Sequence, residues 1–168
     1  MFKIDIHTHI LPENLNEITN TFSDPRFLRM DPIDDQSAIL RKDGTAFRKV
    51  DCNCWNHQKR IQECVSASVD VQVLSTIPVL FSYWAKDDEG LTLSKFLNNH
   101  IAKVVRDEPN RFIGLGTIPM QDVDLAIEEM DRIVNELKFP GIEIGSNVNG
   151  KNLSEEKFHP IFEHAEKI

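Results

Sequence analysis

The stretch FKIDIHTHILP (residues 2–12) alternates apolar Phe2, Ile4 and Ile6 with Lys3, Asp5, His7 and His9. Side chains of an extended strand leave opposite faces in turn, so this period of two predicts a strand with both imidazoles on one side. Their Cα atoms then stand roughly 6.5–7 Å apart, near enough for two rings to converge on one ion. Neutral imidazole nitrogen is a good ligand for zinc and similar divalent metals. A bare His-x-His has little specificity, and its meaning rests on what surrounds it. Asp5 lies one step deeper on the same face, where a carboxylate could orient a ligating histidine.

The rest of the chain repeats a strand-then-helix rhythm. VDVQVLSTIP (69–78) and RFIGLGTIP (111–119) read as strands rich in β-branched residues and closed by proline, and FPGIEIGS (139–146) as a shorter fourth. Ile61, Cys64 and Val65 suggest a helix before the second strand. Leu93, Phe96, Leu97, Ile101, Val104 and Val105 form an apolar stripe at three/four spacing. Leu125, Ile127, Met130, Ile133, Val134 and Leu137 form another, with Asp122 or Asp124 as its cap. Phe158, Ile161, Phe162, Ala165 and Ile168 form the last, with Ser154 as a candidate cap.

Strands alternating with helices imply an α/β fold with a parallel sheet. LSTIP (74–78), LGTIP (115–119) and HTHILP (7–12) end three strands alike, as equivalent positions around a barrel would. The expected architecture is the first four βα units of a (β/α)8 TIM-type barrel, one domain over residues 1–168. Such a barrel usually takes about 250 residues. The last helical stripe is still in phase at Ile168 with no stop signal, so the reading is of a truncated barrel. A complete, small doubly wound domain is the alternative.

Residues 13–60 are too long for a simple loop and are expected to be an insertion after the first strand. AILRKDGTAFRKV (38–50) places Asp43-Gly44 between two alternating arms, the signature of a hairpin with positive φ at both central residues. Above a barrel mouth such a hairpin can carry a lid or a substrate anchor. Strict pairing opposes Lys42 to Thr45, Leu40 to Phe47 and Ile39 to Arg48, which puts Lys42 and Arg48 on opposite faces. Arg48 is the better candidate for a carboxylate, because guanidinium binds it in bidentate fashion. Both residues also read simply as solvated hairpin charges.

A net charge of −8 argues against nucleic acid as a partner, since phosphate binding needs a basic face. No apolar run is long enough to span a bilayer, so no membrane partner is expected. Three sparse cysteines, Cys52, Cys54 and Cys64, read as structural thiols in a reducing cytosol. Catalytic zinc normally takes three protein ligands. His57, His100, His159 and His164 end no strand, so the missing ligands are expected beyond Ile168.

Taken together, DIHTHILP, LRKDGTAFRKV, CWN, LSTIPVLFSYWAK, RFIGLGTIPMQ and FPGIEIGSNVNG resemble the α-amino-β-carboxymuconate-ε-semialdehyde decarboxylase family of the amidohydrolase superfamily. The resemblance runs from residue 2 to the end of the chain. It implies a (β/α)8 barrel, a Zn2+ cofactor, usually a homodimer, and non-hydrolytic decarboxylation of a dicarboxylate semialdehyde from tryptophan catabolism, which limits quinolinate formation. It implies His7 and His9 as metal ligands and Arg48, with Lys42 close by, as the substrate-carboxylate site. The family's catalytic histidine and remaining ligands match no residue here, so no catalytic residue is assigned and the chain alone is expected to be inactive. Glu143 departs from the family's glutamine; its extra carboxylate is expected either to face solvent or to perturb the core. Phe81, Tyr83 and Trp84 could pack on a planar dienoate or, for at least two of them, beneath the hairpin. Another superfamily decarboxylase or hydrolase, or a catalytically dead short form acting by association, are the alternatives.

Overall fold

In a computed structural model that describes all 168 residues, strand β1 spans Ile4–His9 and runs into a long excursion before the next parallel strand. The excursion holds a short helix α1 (Leu15–Thr19) and three strands, β2 (Arg29–Asp34), β3 (Ser37–Lys42) and β4 (Thr45–Asp51). Helix α2 (His57–Ala67) then leads to β5 (Val71–Ser75). Helix α3 (Asp87–Asp107), strand β6 (Phe112–Gly114) and helix α4 (Val123–Asn135) follow. A two-residue hairpin ladder, β7 (Asn147–Val148) with β8 (Lys151–Asn152), precedes helix α5 (His159–Ala165).

The parallel sheet has the order β1-β5-β6. The expected fourth strand, 139–146, forms no extended ladder. It makes one parallel bridge, Gly116 with Ile142, held by Gly116 N–H donating to the Gly141 carbonyl (3.0 Å) and Glu143 N–H donating to the Gly116 carbonyl (2.8 Å). Gly116 also lets α4 pack closely: a Cβ there would sit 2.5 Å from the Ile133 side chain. Asp122 is the cap of α4, accepting from Leu125 N–H at 2.9 Å, as one of the two expected candidates. Ser154 does not cap α5; a single 3-10 turn at Glu156–Phe158 intervenes and the cap position falls on Phe158.

The insertion is a three-stranded antiparallel sheet, not a lone hairpin. β2 was hidden by Pro32, which lacks a donor; the strand lies at the sheet edge, where proline is tolerated. The Asp43-Gly44 turn has φ of 53° and 71°, the positive pair that its sequence demands. Two cores result. Ile101 and Val104 of α3 join the core under the parallel sheet, whereas Leu93 and Leu97 join Phe27, Leu28, Leu40 and Trp55 under the insertion. One helix therefore anchors both layers.

The strict pairing of β3 with β4 needs correction. Leu40 opposes Arg48 and Arg41 opposes Ala46, so Phe47 is an extra, bulged residue. The bulge moves Arg48 onto the face of Leu40 and Lys42. The two cations share one side of the hairpin instead of dividing between two.

His100 of α3 gives the fold an acid-sensitive point. Burial pushes its pKa from 6.5 down to about 4, helped by nearby His57 and Lys103, and its Nε2 has no hydrogen-bond partner. The folded state thus holds it neutral while the unfolded chain protonates near 6.5. Its contribution is complete above pH 6.5 and is lost as pH falls toward 4, by roughly 3 kcal/mol at most. Urea unfolding across this pH window is expected to show a shallower slope for His100→Gln than for the parent; identical slopes would remove His100 as the cause.

Candidate metal centre

β1 ends at a fixed point. Ile10 N–H donates to the Ser75 carbonyl (2.9 Å) and Leu11 N–H to the Cys54 carbonyl (2.8 Å). Arg60 of α2 donates from Nη2 to the His9 carbonyl (2.7 Å) and to the Asn53 carbonyl (2.9 Å). This guanidinium, unremarked in the sequence, ties the backbone of His9 to the 3-10 turn at Cys52–Cys54.

On this support the rings of His7 and His9 converge, with centroids 4.8 Å apart and planes at 80°. His7 is exposed and His9 half-buried. His9 Nδ1 lies 3.0 Å from Ser75 Oγ, a residue directly opposite it on β5. Burial lowers the pKa of His9, against the pull of the Glu143 carboxylate in the other direction. A neutral imidazole keeps one bare nitrogen, the form a metal requires. Asp5 does not orient either ring; its carboxylate accepts from Gln72 Nε2 at 3.4 Å, below the site.

A cavity of about 630 Å³ opens beside the pair, lined by His7, His9, Leu40, Phe47, Arg48 and Val50 among others. Pro78 and Val79 form a wall shared with a second hollow, which contains Lys42, Tyr83 and Glu143. Arg48 therefore lines the histidine cavity, and Lys42 lines its neighbour. A concave, largely apolar space with a few convergent polar groups is what small-molecule sites require.

Glu143 was not anticipated here. Its backbone is pinned to Gly116, and alternation sends Ile142 and Ile144 into the core and Glu143 to the opposite side. One donor atom each from His7, His9 and Glu143 lie within 4.8 Å of one another. The sequence did carry a signal: the carboxylate sits at the end of a strand-like segment between two core isoleucines.

The aromatic residues after β5 are structural. Tyr83 is buried and stacks on Phe81 at 5.5 Å, and its hydroxyl accepts from Gly145 N–H at 3.0 Å. Burial raises its pKa to about 12, so it stays protonated. Trp84 packs on Phe27 and under Arg26. Cys52, Cys54 and Cys64 are free thiols, and burial raises the pKa of the latter two. His57 and His100 line another cavity, and His159 and His164 lie on α5, where His164 pairs with Asp131. No helix is long and apolar enough to cross a membrane.

The chain is similar to known decarboxylases. The chain is 49% identical over 99% of its length to 2-amino-3-carboxymuconate-6-semialdehyde decarboxylase of Dictyostelium discoideum, covering 46% of that protein. It is 35% identical to the protein of the same name from Caenorhabditis elegans, again over 99% of the chain and 46% of the relative. The chain thus spans about half the length of the curated relatives it matches. Among solved structures, 5-carboxyvanillate decarboxylase from Novosphingobium aromaticivorans, crystallised with manganese, superposes with a TM-score of 0.75 at 21% identity, over 99% of this chain and 48% of that one. That likeness establishes a shared α/β fold. With the amidohydrolase family model matching residues 4–168, the chain belongs to the amidohydrolase family.

Proposed function

We propose that these residues form the metal-ligating and substrate-anchoring half of a decarboxylase site built on the first four βα units of a (β/α)8 barrel. The substrate class is an unsaturated dicarboxylate semialdehyde, 2-amino-3-carboxymuconate-6-semialdehyde by similarity to the two relatives. The observation that carries the reading is the joint position of His7, His9 and Arg48 around one cavity.

A divalent cation fits the donors present: two imidazoles whose rings stand 4.8 Å apart, beside a buried carboxylate oxygen that has no hydrogen-bond partner. His7 and His9 would hold it, with zinc as the ion that the resemblance implies. When bound, such an ion supplies Lewis acidity and an acidified water. The chain's own residues do the rest. Arg48 offers a bidentate fork to a carboxylate and fixes which end of the substrate faces the histidines. Lys42, on the same hairpin face, adds positive potential at the neighbouring wall. Leu40, Val50 and Ile77 keep the cavity wall apolar, which strengthens each charge interaction inside it.

Arg48→Ala is expected to weaken binding of muconate, a simple unsaturated dicarboxylate, about tenfold in calorimetry while leaving metal content unchanged. Unaltered muconate affinity would remove Arg48 from the site. Beyond His7 and His9 no third histidine lines the cavity to serve as a base, so the chain purified alone is expected to release carbon dioxide from the semialdehyde only at the background rate. Rapid turnover by the chain alone would overturn that division of labour.

A second reading, association without catalysis, is favoured by one feature. Phe2, Ile4 and Ile6 are exposed, and β1 is a sheet edge. The homodimer expected from the resemblance belongs to this reading as well, and a sedimentation measurement of the chain tests it.

A further inference from the structure

We propose that Glu143 is a third ligand to the cation, so that His7, His9 and Glu143 make a complete two-histidine, one-carboxylate site within these 168 residues. The inference rests on the metal reading above and goes beyond it, because that reading names only the two histidines.

Three observations point the same way. Donor atoms of the three residues lie within 4.8 Å of one another, the one such grouping of metal-binding side chains in the molecule. Ligands bound at about 2.0–2.2 Å stand roughly 3–3.5 Å apart, so side-chain rotation of about an ångström closes the set. Glu143 Oε2 is buried without any hydrogen-bond partner. A carboxylate oxygen out of water and unpaired is costly, and a cation removes that cost. The nearest histidine nitrogen is His9 Nδ1 at 3.8 Å, too far for a hydrogen bond.

The position is also built, not incidental. Glu143 N–H is held on the Gly116 carbonyl at 2.8 Å, and Gly145 N–H, two residues on, is held on Tyr83 Oη at 3.0 Å. The carboxylate is therefore presented from a segment fixed at both ends. Glutamine at this position keeps the shape but offers only a neutral amide oxygen, a much weaker donor. Two neutral imidazoles and one carboxylate form a set that suits zinc, iron(II) and manganese alike.

The test is titration of the metal-free chain with manganese(II), read by the loss of the free-ion EPR signal, and with cobalt(II), read by its visible bands. The parent is expected to bind one equivalent. Glu143→Gln, which keeps the side chain's size, is expected to bind on the order of tenfold more weakly or worse, because even residues that only support a ligand cost that much. Its cobalt spectrum is expected to change as one donor is lost. Glu143→Asp, with a carboxylate set back by one methylene, is expected to fall between the two. Far-UV circular dichroism of both variants checks the fold. If Glu143→Gln binds manganese as tightly as the parent, with the same cobalt spectrum, the Glu143 assignment fails and the histidine site stands. If the parent takes up neither ion, the metal reading itself fails.

Discussion

Replacing His7 and His9 together by alanine is expected to weaken cation binding by at least about 100-fold, or about 2.7 kcal/mol. The argument is geometric. The two ring centroids lie 4.8 Å apart, and among histidine, cysteine and carboxylate side chains only Glu143 joins them within 4.8 Å. Without the rings a single carboxylate remains, and one oxygen ligand at a partly open site binds a transition metal poorly. The loss shows in stability as well as in affinity. An ion at 100 times its dissociation constant stabilises the folded parent by about 2.7 kcal/mol, an increment absent from the double variant. The metal-free proteins are expected to melt nearly together, since His7 is exposed and makes no hydrogen bond, while His9 gives up its single side-chain bond to Ser75. Equal manganese affinity in parent and variant would place the ion elsewhere or nowhere.

Glu129→Ala is expected to cost about 3–5 kcal/mol of unfolding free energy, enough to threaten a domain of this size. Glu129 is fully buried on α4. Its carboxylate accepts from Arg132 Nε (2.8 Å) and Nη2 (2.7 Å) and from Asn98 Nδ2 of α3 (2.7 Å). Asn98 in turn donates to the Thr117 carbonyl and accepts from Thr117 N–H, both at 2.8 Å. One carboxylate therefore links α3, α4 and the chain just beyond β6. Removing it leaves Arg132 without its ionic partner and takes from Asn98 one of its three hydrogen bonds in the interior. Glu129→Gln, which keeps an acceptor for Asn98 but loses the charge, is expected to cost only about 1–2 kcal/mol. Chemical denaturation separates the two, and a loss below about 1 kcal/mol for Glu129→Ala would show that the network is dispensable. The damage is expected to reach the site, because Thr117 follows Gly116, whose carbonyl holds Glu143.

The parts of this architecture that were legible in the sequence are those governed by neighbours along the chain. His7 and His9, two residues apart, stand together as period two predicts, although the pairing of β1 with β5 slips between Asp5 and Thr8, so strict alternation does not run through residues 2–9. Three/four spacing located α3 and α4, and Asp122 was visible as a cap. Asp43-Gly44 announced its turn, because positive φ at two successive residues is a local steric demand. The parallel order followed from strands alternating with helices.

What failed to show was set by distant partners. The bulge at Phe47 leaves no mark in an alternating pattern, yet it moves Arg48 to the face of Lys42. β2 was masked by Pro32, whose missing donor matters only if a strand lies on its other side. Asp5 was close to the histidines along the chain, but Gln72 claims it. Arg60 reaches the His9 carbonyl from 51 residues away, and Glu143 reaches the site because the backbone of Gly116 holds its segment. By itself, then, the sequence determined the elements and the paired imidazoles, since backbone sterics and side-chain periodicity act over a few residues. Only the tertiary structure decided which carboxylate and which cations stand beside them, because that depends on register and close approach between segments far apart in the chain.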